Sequence, residues 1–347
     1  MTKQEKINNF DPNSVGDTTA GMFGLPFTLD ECETVLIPVP WEVTVSYSGG
    51  TIDGPEAIYE ASFQVDLYDP TKKDAWKLGI GMDKINEDVY EKSEKYREMA
   101  EFLIDEMAIG EDVSDKDDFD KINVACAEMN SWVKERCLHF LKQNKTVGLI
   151  GGDHSTPLGM ISALAEHHGS FGILQLDAHA DLRVAYEGFE FSHASIMYNA
   201  LKTKEVEKLV QVGIRDFCEE EVNIINESNG RVVTFFDRDL KHESYNGETW
   251  AHTCKRIILE LPQNIYLSFD IDALDPKLCP NTGTPVAGGF EAEQILFLIE
   301  QIVKSGKRII AFDINEVAPG EEDEWDANVA ARLLYRIANL VMTSQGK

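Results

Sequence analysis

Four short apolar runs, each breaking off in residues that hold cations or carry protons, constrain this chain more than any other feature. Thr-Val-Gly-Leu-Ile at 146–150 ends in Gly-Gly-Asp-His, and Phe-Gly-Ile-Leu-Gln-Leu at 171–176 ends in Asp-Ala-His-Ala-Asp-Leu-Arg. Asn-Ile-Tyr-Leu-Ser-Phe at 264–269 ends in Asp-Ile-Asp-Ala-Leu-Asp-Pro, and Arg-Ile-Ile-Ala-Phe at 308–312 ends in Asp-Ile-Asn-Glu. Runs this short and this continuously apolar read as strands buried on both faces. Similar runs at 34–39, 209–213 and 231–236 predict further strands. Apolar residues at three- and four-residue spacing predict helices from Glu56, across much of 87–141, through His168, and over 249–261, 291–304 and 326–342. Strands alternating with helices in this way imply an α/β fold with a mostly parallel sheet covered on both faces. In such sheets ligands bind beyond the carboxyl ends of the strands.

His154, Asp177, His179, Asp181, Asp270, Asp272 and Glu316 all fall at such ends. In extended backbone, residues at i, i+2 and i+4 share a face, so Asp177, His179 and Asp181 are expected to point together, and Asp270 with Asp272 likewise. Carboxylates buried beside imidazoles are costly unless a cation or hydrogen-bond donors neutralise them. One such motif is open to a plainer explanation, in which the aspartates cap a helix and the histidine is a core residue. Four strand ends of the same kind point instead to a shared metal site. The four aspartates carry four negative charges, which two divalent ions neutralise and one does not. Oxygen and imidazole donors without thiolate suit Mn²⁺, with Ni²⁺, Co²⁺ and Fe²⁺ left open. A pair of ions activates water near neutral pH, which implies hydrolysis. Glu316 adds a further negative charge, so a planar cation such as guanidinium fits the site better than a phosphate.

With 347 residues and 43% hydrophobic content, the chain is expected to bury its core as one domain over residues 21–347, preceded by a polar arm at 1–20. The six cysteines are spread singly and read as reduced thiols. Net charge −29 argues against nucleic acid and anionic membranes as partners and weakly favours cationic ligands. There is no apolar run of membrane-spanning length and the start lacks a signal-peptide core, so the chain is expected to be cytoplasmic. The Pro- and Gly-bounded stretch at 40–55 is long for a connection and is expected to overhang a site. Asp112 to Asp118 is expected to form a solvated acidic turn.

The motifs Gly-Gly-Asp-His at 151–154, Asp-Ala-His-Ala-Asp at 177–181 and Ser-Phe-Asp-Ile-Asp at 268–272 resemble, in this order and spacing, those of the ureohydrolases, which include arginases, agmatinases, guanidinobutyrases and formiminoglutamases. The resemblance runs from about Thr34 to the end of the chain. It implies an arginase-like three-layer α/β/α sandwich, assembled as a homotrimer or homohexamer. It also implies that His154, Asp177, Asp181 and Asp270 hold one ion and Asp177, His179, Asp270 and Asp272 the other, with Asp177 and Asp270 bridging. His193, in Phe-Ser-His-Ala-Ser, matches the family's catalytic histidine, whose imidazole passes a proton to the departing amine. Glu316 matches the glutamate that binds the guanidinium group.

The substrate is less constrained, because its far end is held by loops. Cys218 stands where arginases place an acid that binds the amino group of arginine, which counts against arginine. The wording of 181–195 and 45–55 looks like the agmatinase branch, implying agmatine as substrate, with putrescine and urea as products. Tyr186, Phe189, Phe191 and Trp325 are candidates to narrow the pocket, which leaves guanidine open as a substrate. Arg183 either binds a substrate carboxylate, as in guanidinobutyrate, or pairs with an acid such as Glu187. Two other classes stay open: a non-catalytic metal-binding homologue and a one-zinc amide deacetylase.

Overall fold

The computed structural model describes residues 1–111, 113, 116–320 and 323–347, with backbone only for Lys116. Part of the expected acidic turn, at Asp112, Ser114 and Asp115, therefore lies outside the described residues. Eight strands form one sheet: β1 (Thr34–Val39), β2 (Ile80–Met82), β3 (Thr146–Gly151), β4 (Phe171–Leu176), β5 (Val206–Ile214), β6 (Val232–Phe236), β7 (Asn264–Phe269) and β8 (Arg308–Ile314). Their order is β2-β1-β3-β8-β7-β4-β5-β6, and every neighbouring pair is parallel. The expected α/β/α sandwich is what forms.

The helices are α1 (Lys3–Asn9), α2 (Gly54–Ser62), α3 (Glu87–Ala108), α4 (Lys116–Leu141), α5 (Leu158–His168), α6 (Ile196–Ala200), α7 (Glu219–Glu227), α8 (Asp237–Tyr245), α9 (Trp250–Glu260), α10 (Ala292–Lys304) and α11 (Trp325–Ser344). Apolar residues of α2, α8, α9, α10 and α11 pack on one face of the sheet, and those of α3 to α7 on the other. Alternate strand residues feed the two cores: Ile173 enters one and Leu174 the other, as do Leu149 and Ile150, and Tyr266 and Leu267. Burial on both sides is the physical reason these strands carry no polar alternation.

Several elements were not anticipated. β2 is three residues long and follows Gly79 at φ 82°, too short for any periodicity. The polar start contains α1, closed by a capping box between Thr2 and Glu5. Lys3 Nζ donates to the carbonyls of Glu31 at 2.6 Å and Leu78 at 2.8 Å, docking this segment on its own chain. Short, acidic α7 and α8 also escaped the pattern. No helix among the described residues is long and apolar enough to cross a membrane.

Candidate binuclear metal centre

The four strands that end in suspect residues are neighbours, β3-β8-β7-β4, so parallel pairing brings their carboxyl-end loops together. The turn after β3 is tight: a Cβ on Gly151 would sit 1.9 Å from Asn315 Oδ1, so only glycine fits there. His154 follows, and its Nε2 lies 3.0 Å from Ser268 Oγ. That contact turns Nδ1 toward three carboxylate oxygens, Asp177 Oδ2 at 3.0 Å, Asp181 Oδ2 at 3.2 Å and Asp270 Oδ2 at 3.2 Å. His179 Nδ1 lies 2.9 Å from Asp272 Oδ2 and 3.7 Å from Asp177 Oδ1. Asp177 thus offers one oxygen toward each histidine. Two groups of metal-type donors result, His154 with Asp177 and Asp270, and Asp177 with His179 and Asp272.

The backbone reaches this arrangement differently from the expectation. The strand ends at Leu176 and the chain bends at Ala178; His179 then forms an isolated bridge with Asp216, and Asp181 has a left-handed φ of 54°. Asp270 and Asp272 are joined by a 3₁₀ turn, with Asp270 Oδ1 accepting from the Asp272 N–H at 2.8 Å. The carboxylates converge through turns that leave the strands, not along one extended face.

Buried supports fix these groups. Gln175 donates to Asp177 Oδ2 at 2.8 Å and accepts from Gln211 at 2.7 Å, and Gln211 accepts from Thr234 Oγ1 at 2.7 Å. Asp313 Oδ1 accepts from Ser268 Oγ at 3.2 Å and from the Phe269 N–H at 3.0 Å. None of these supports was singled out from the sequence, because their partners lie on other strands.

The donor set fits divalent cations. His154 Nδ1 is buried without a hydrogen-bond partner although three carboxylates face it. Burial works against the His154 imidazolium, but Asp177, Asp181 and Asp270 outweigh it and hold the group well above its ordinary value. Burial and then Asp177 push Asp181 up to about 7, while burial, Asp272 and Asp177 raise Asp270 well above the carboxylate range. For Asp177 burial is outweighed by the two histidines, and the carboxyl is lowered. Loss of water works against the half-buried His179 imidazolium too, yet Asp272 and Asp177 lift it to about 12. So much like charge in one buried volume is relieved by cations of higher charge than a proton. The six cysteines are free and none belongs to either donor group.

A cavity of about 110 Å³ opens beside the cluster, and His179, Asp181, Arg183, Tyr186, His193, Asp216, Glu221, Ser46, Tyr47 and Thr284 are among its walls. The stretch at 40–55 does overhang it, through Ser46 and Tyr47. His193 opens a 3₁₀ turn and accompanies the donors into the cavity; burial first, then His179, His154 and Arg97, push its imidazole down to about 3. Glu316, at φ 63°, is buried behind the cluster and does not line the cavity. Its Oε1 accepts from the His154 N–H at 2.7 Å, and burial, then Asp153, raise its carboxyl well above the ordinary range.

Of the four aromatic residues considered as pocket walls, only Tyr186 is one. Phe189 is fully buried against Phe119, Phe191 packs on the same core, and Trp325 is 44% exposed with its indole N–H on the Lys277 carbonyl. These three are held by apolar burial or by a distant backbone group. Arg183 pairs with Glu221, Nε to Oε2 at 3.6 Å, and lies over the Tyr186 ring; Glu187 instead accepts from Ser46 Oγ at 2.7 Å.

The arginase family matches residues 32–339 of this chain. An N(1)-aminopropylagmatine ureohydrolase of Thermus thermophilus is 29% identical over 90% of this chain and 91% of its own length. An agmatinase of Cronobacter sakazakii is 30% identical over 63% and 68%. Among solved structures, the agmatine ureohydrolase of Thermoplasma volcanium has the same fold, with a TM-score of 0.69 at 20% identity over 99% of both chains. The chain therefore belongs to the arginase family, whose members depend on two metal ions. Its relatives place it in the agmatinase branch of the ureohydrolases, hydrolases acting on guanidino C–N bonds.

Proposed function

We propose that the chain releases urea from a small cationic guanidino compound of the agmatine type, using two divalent ions held at the β3-β8-β7-β4 edge. The observation that carries this reading is Asp177, whose two oxygens face His154 and His179 and so link the two donor groups. His154, Asp177, Asp181 and Asp270 would hold one ion, and Asp177, His179, Asp270 and Asp272 the other, Mn²⁺ being preferred and Ni²⁺ the alternative. When bound, such ions supply an activated water at neutral pH. His193, neutral at rest, collects the proton released as water attacks the guanidinium carbon and hands it to the leaving nitrogen. Glu316 is the residue we assign to the guanidinium; it stands behind the donors with Oε1 on the His154 N–H, so it would reach the substrate from beneath the cluster and not from the cavity wall.

Cavity chemistry supports a cationic substrate. With Asp181 given to an ion and Glu221 to Arg183, Asp216 leaves an acid on its walls for a cation, and the engaged Arg183 argues against a carboxylate-bearing substrate. Relatives named for agmatine and aminopropylagmatine favour the same choice over arginine and guanidine. Residues 21–347 would form the catalytic unit, with 1–20 as an arm, in a cytoplasmic homotrimer or homohexamer.

Urea release by enzyme reconstituted separately with Mn²⁺ and Ni²⁺, across agmatine, arginine, guanidinobutyrate and guanidine, tests the reading. Agmatine is expected to be preferred and a chelator to abolish turnover. Full activity in metal-free protein, or no urea from any of these compounds with two metals bound, overturns it.

A further inference from the structure

Arg215 stands one residue past β5, yet its side chain reaches beyond the end of β4 to the loop that follows β7. β5 breaks register between Val212 and Ile214, where Gly213 takes φ 104° and a Cβ would meet the Phe290 ring at 2.7 Å. Past this break the backbone is pinned to the segment after β4: the N–H groups of Arg215 and Asp216 both donate to the Ala178 carbonyl, at 2.7 and 3.0 Å. The Arg215 guanidinium donates from Nη2 to the carbonyls of Asp272 at 2.7 Å, Val286 at 2.9 Å and Leu274 at 3.2 Å, and from Nε to that of Val286 at 3.2 Å. Every hydrogen bond it makes ends on a backbone carbonyl. A planar fork of donors suits such a cluster, which one point charge cannot serve as well.

These contacts close a circuit around one of the two donor groups. Asp177, His179 and Asp272 come from two segments, one after β4 and one after β7. Asp272 Oδ1 accepts from the Ala178 N–H at 3.0 Å, and its Oδ2 lies 2.9 Å from His179 Nδ1. Ala178 thus holds the Asp272 carboxylate through its N–H and the Arg215 backbone through its carbonyl, while the Arg215 side chain holds the Asp272 carbonyl. His154 leans on different supports, Ser268 and Glu316, and Arg215 touches neither.

We propose that Arg215 is a positioning residue for the second donor group: it clamps the 3₁₀ turn carrying Asp272 against the segment carrying His179, and so sets the affinity for the ion that these residues hold. This rests on the two-ion reading. The ion assigned to His154 is held independently of the clamp.

The test titrates metal-free wild type, Arg215→Met and Arg215→Lys with Mn²⁺ alone, reading free Mn²⁺ by its electron paramagnetic resonance. Wild type is expected to take up two ions per chain. Arg215→Met should weaken one binding step about ten- to a hundred-fold, as loss of an outer support does, and leave the other within about threefold. Two backgrounds identify the step. In His179→Ala, where that donor group is already broken, adding Arg215→Met should change Mn²⁺ binding little; in His154→Ala it should weaken the step that remains. Arg215→Lys keeps the charge but not the fork, so it should recover part of the loss, and it carries the test if thermal unfolding shows that Arg215→Met does not fold. Wild-type affinity for both ions in a folded Arg215 variant overturns the inference, and so does equal weakening of both steps. If wild type itself binds fewer than two ions, the two-ion reading falls and the inference with it; two ions in wild type with unaltered variants removes the inference alone.

Discussion

Asp177 is the residue on which the centre turns, because its two oxygens face different histidines. Asp177→Asn is expected to abolish urea release and to drop the metal content below two per chain, measured by elemental analysis of the dialysed protein. His193→Asn should behave differently: kcat falls by about 10²- to 10⁴-fold, the usual contribution of a positioned proton carrier, while both metals remain. A His193 variant with wild-type turnover would remove that residue from the reaction. The aromatic residues separate in the same way. Phe189 is fully buried, so Phe189→Ala should cost about 3–5 kcal/mol in denaturant unfolding, whereas Tyr186→Ala should move KM with little change in stability.

At the scale of elements, β4, β5 and β6 carry a polar row, buried at Gln175 and Gln211 and half-buried at Thr234. Gln175, Gln211 and Thr234 are register partners on these adjacent strands, and their hydrogen bonds run to Asp177. Outer partners of this kind orient metal ligands, and losing one typically weakens metal binding ten- to a hundred-fold. Gln211→Leu is therefore expected to weaken metal binding by about that factor in a competition titration against a chromogenic chelator; unchanged affinity would make the row purely structural. Gln175 was visible in its apolar run, yet its function was not, because the partner stands 36 residues away on another strand.

For the molecule as a whole, the net charge of −29 is a field that a cationic substrate feels before it reaches the cavity. Raising the ionic strength from about 10 mM to about 150 mM shortens the screening length from about 30 Å to about 8 Å. KM for agmatine is accordingly expected to rise with salt while kcat stays nearly constant, and a salt-independent KM would show that the acidic surface plays no part in capture.

The metal-type donors and the strands that deliver them were legible in the chain because both are local: a short apolar run and the polar residues that end it are contiguous. The α/β layering followed from the same alternation. Folding was needed to show how the donors meet. Asp181 arrives through a left-handed residue and Asp272 through a 3₁₀ turn, and neither geometry is written in a spacing of two. Nor does any local pattern order the sheet β3-β8-β7-β4, bring Ser46, Glu221 and Thr284 to one cavity, or set Arg97 against the loop after β1. Those contacts join segments far apart in the chain, and their energy comes from burial and hydrogen bonds that exist only once the layers have packed.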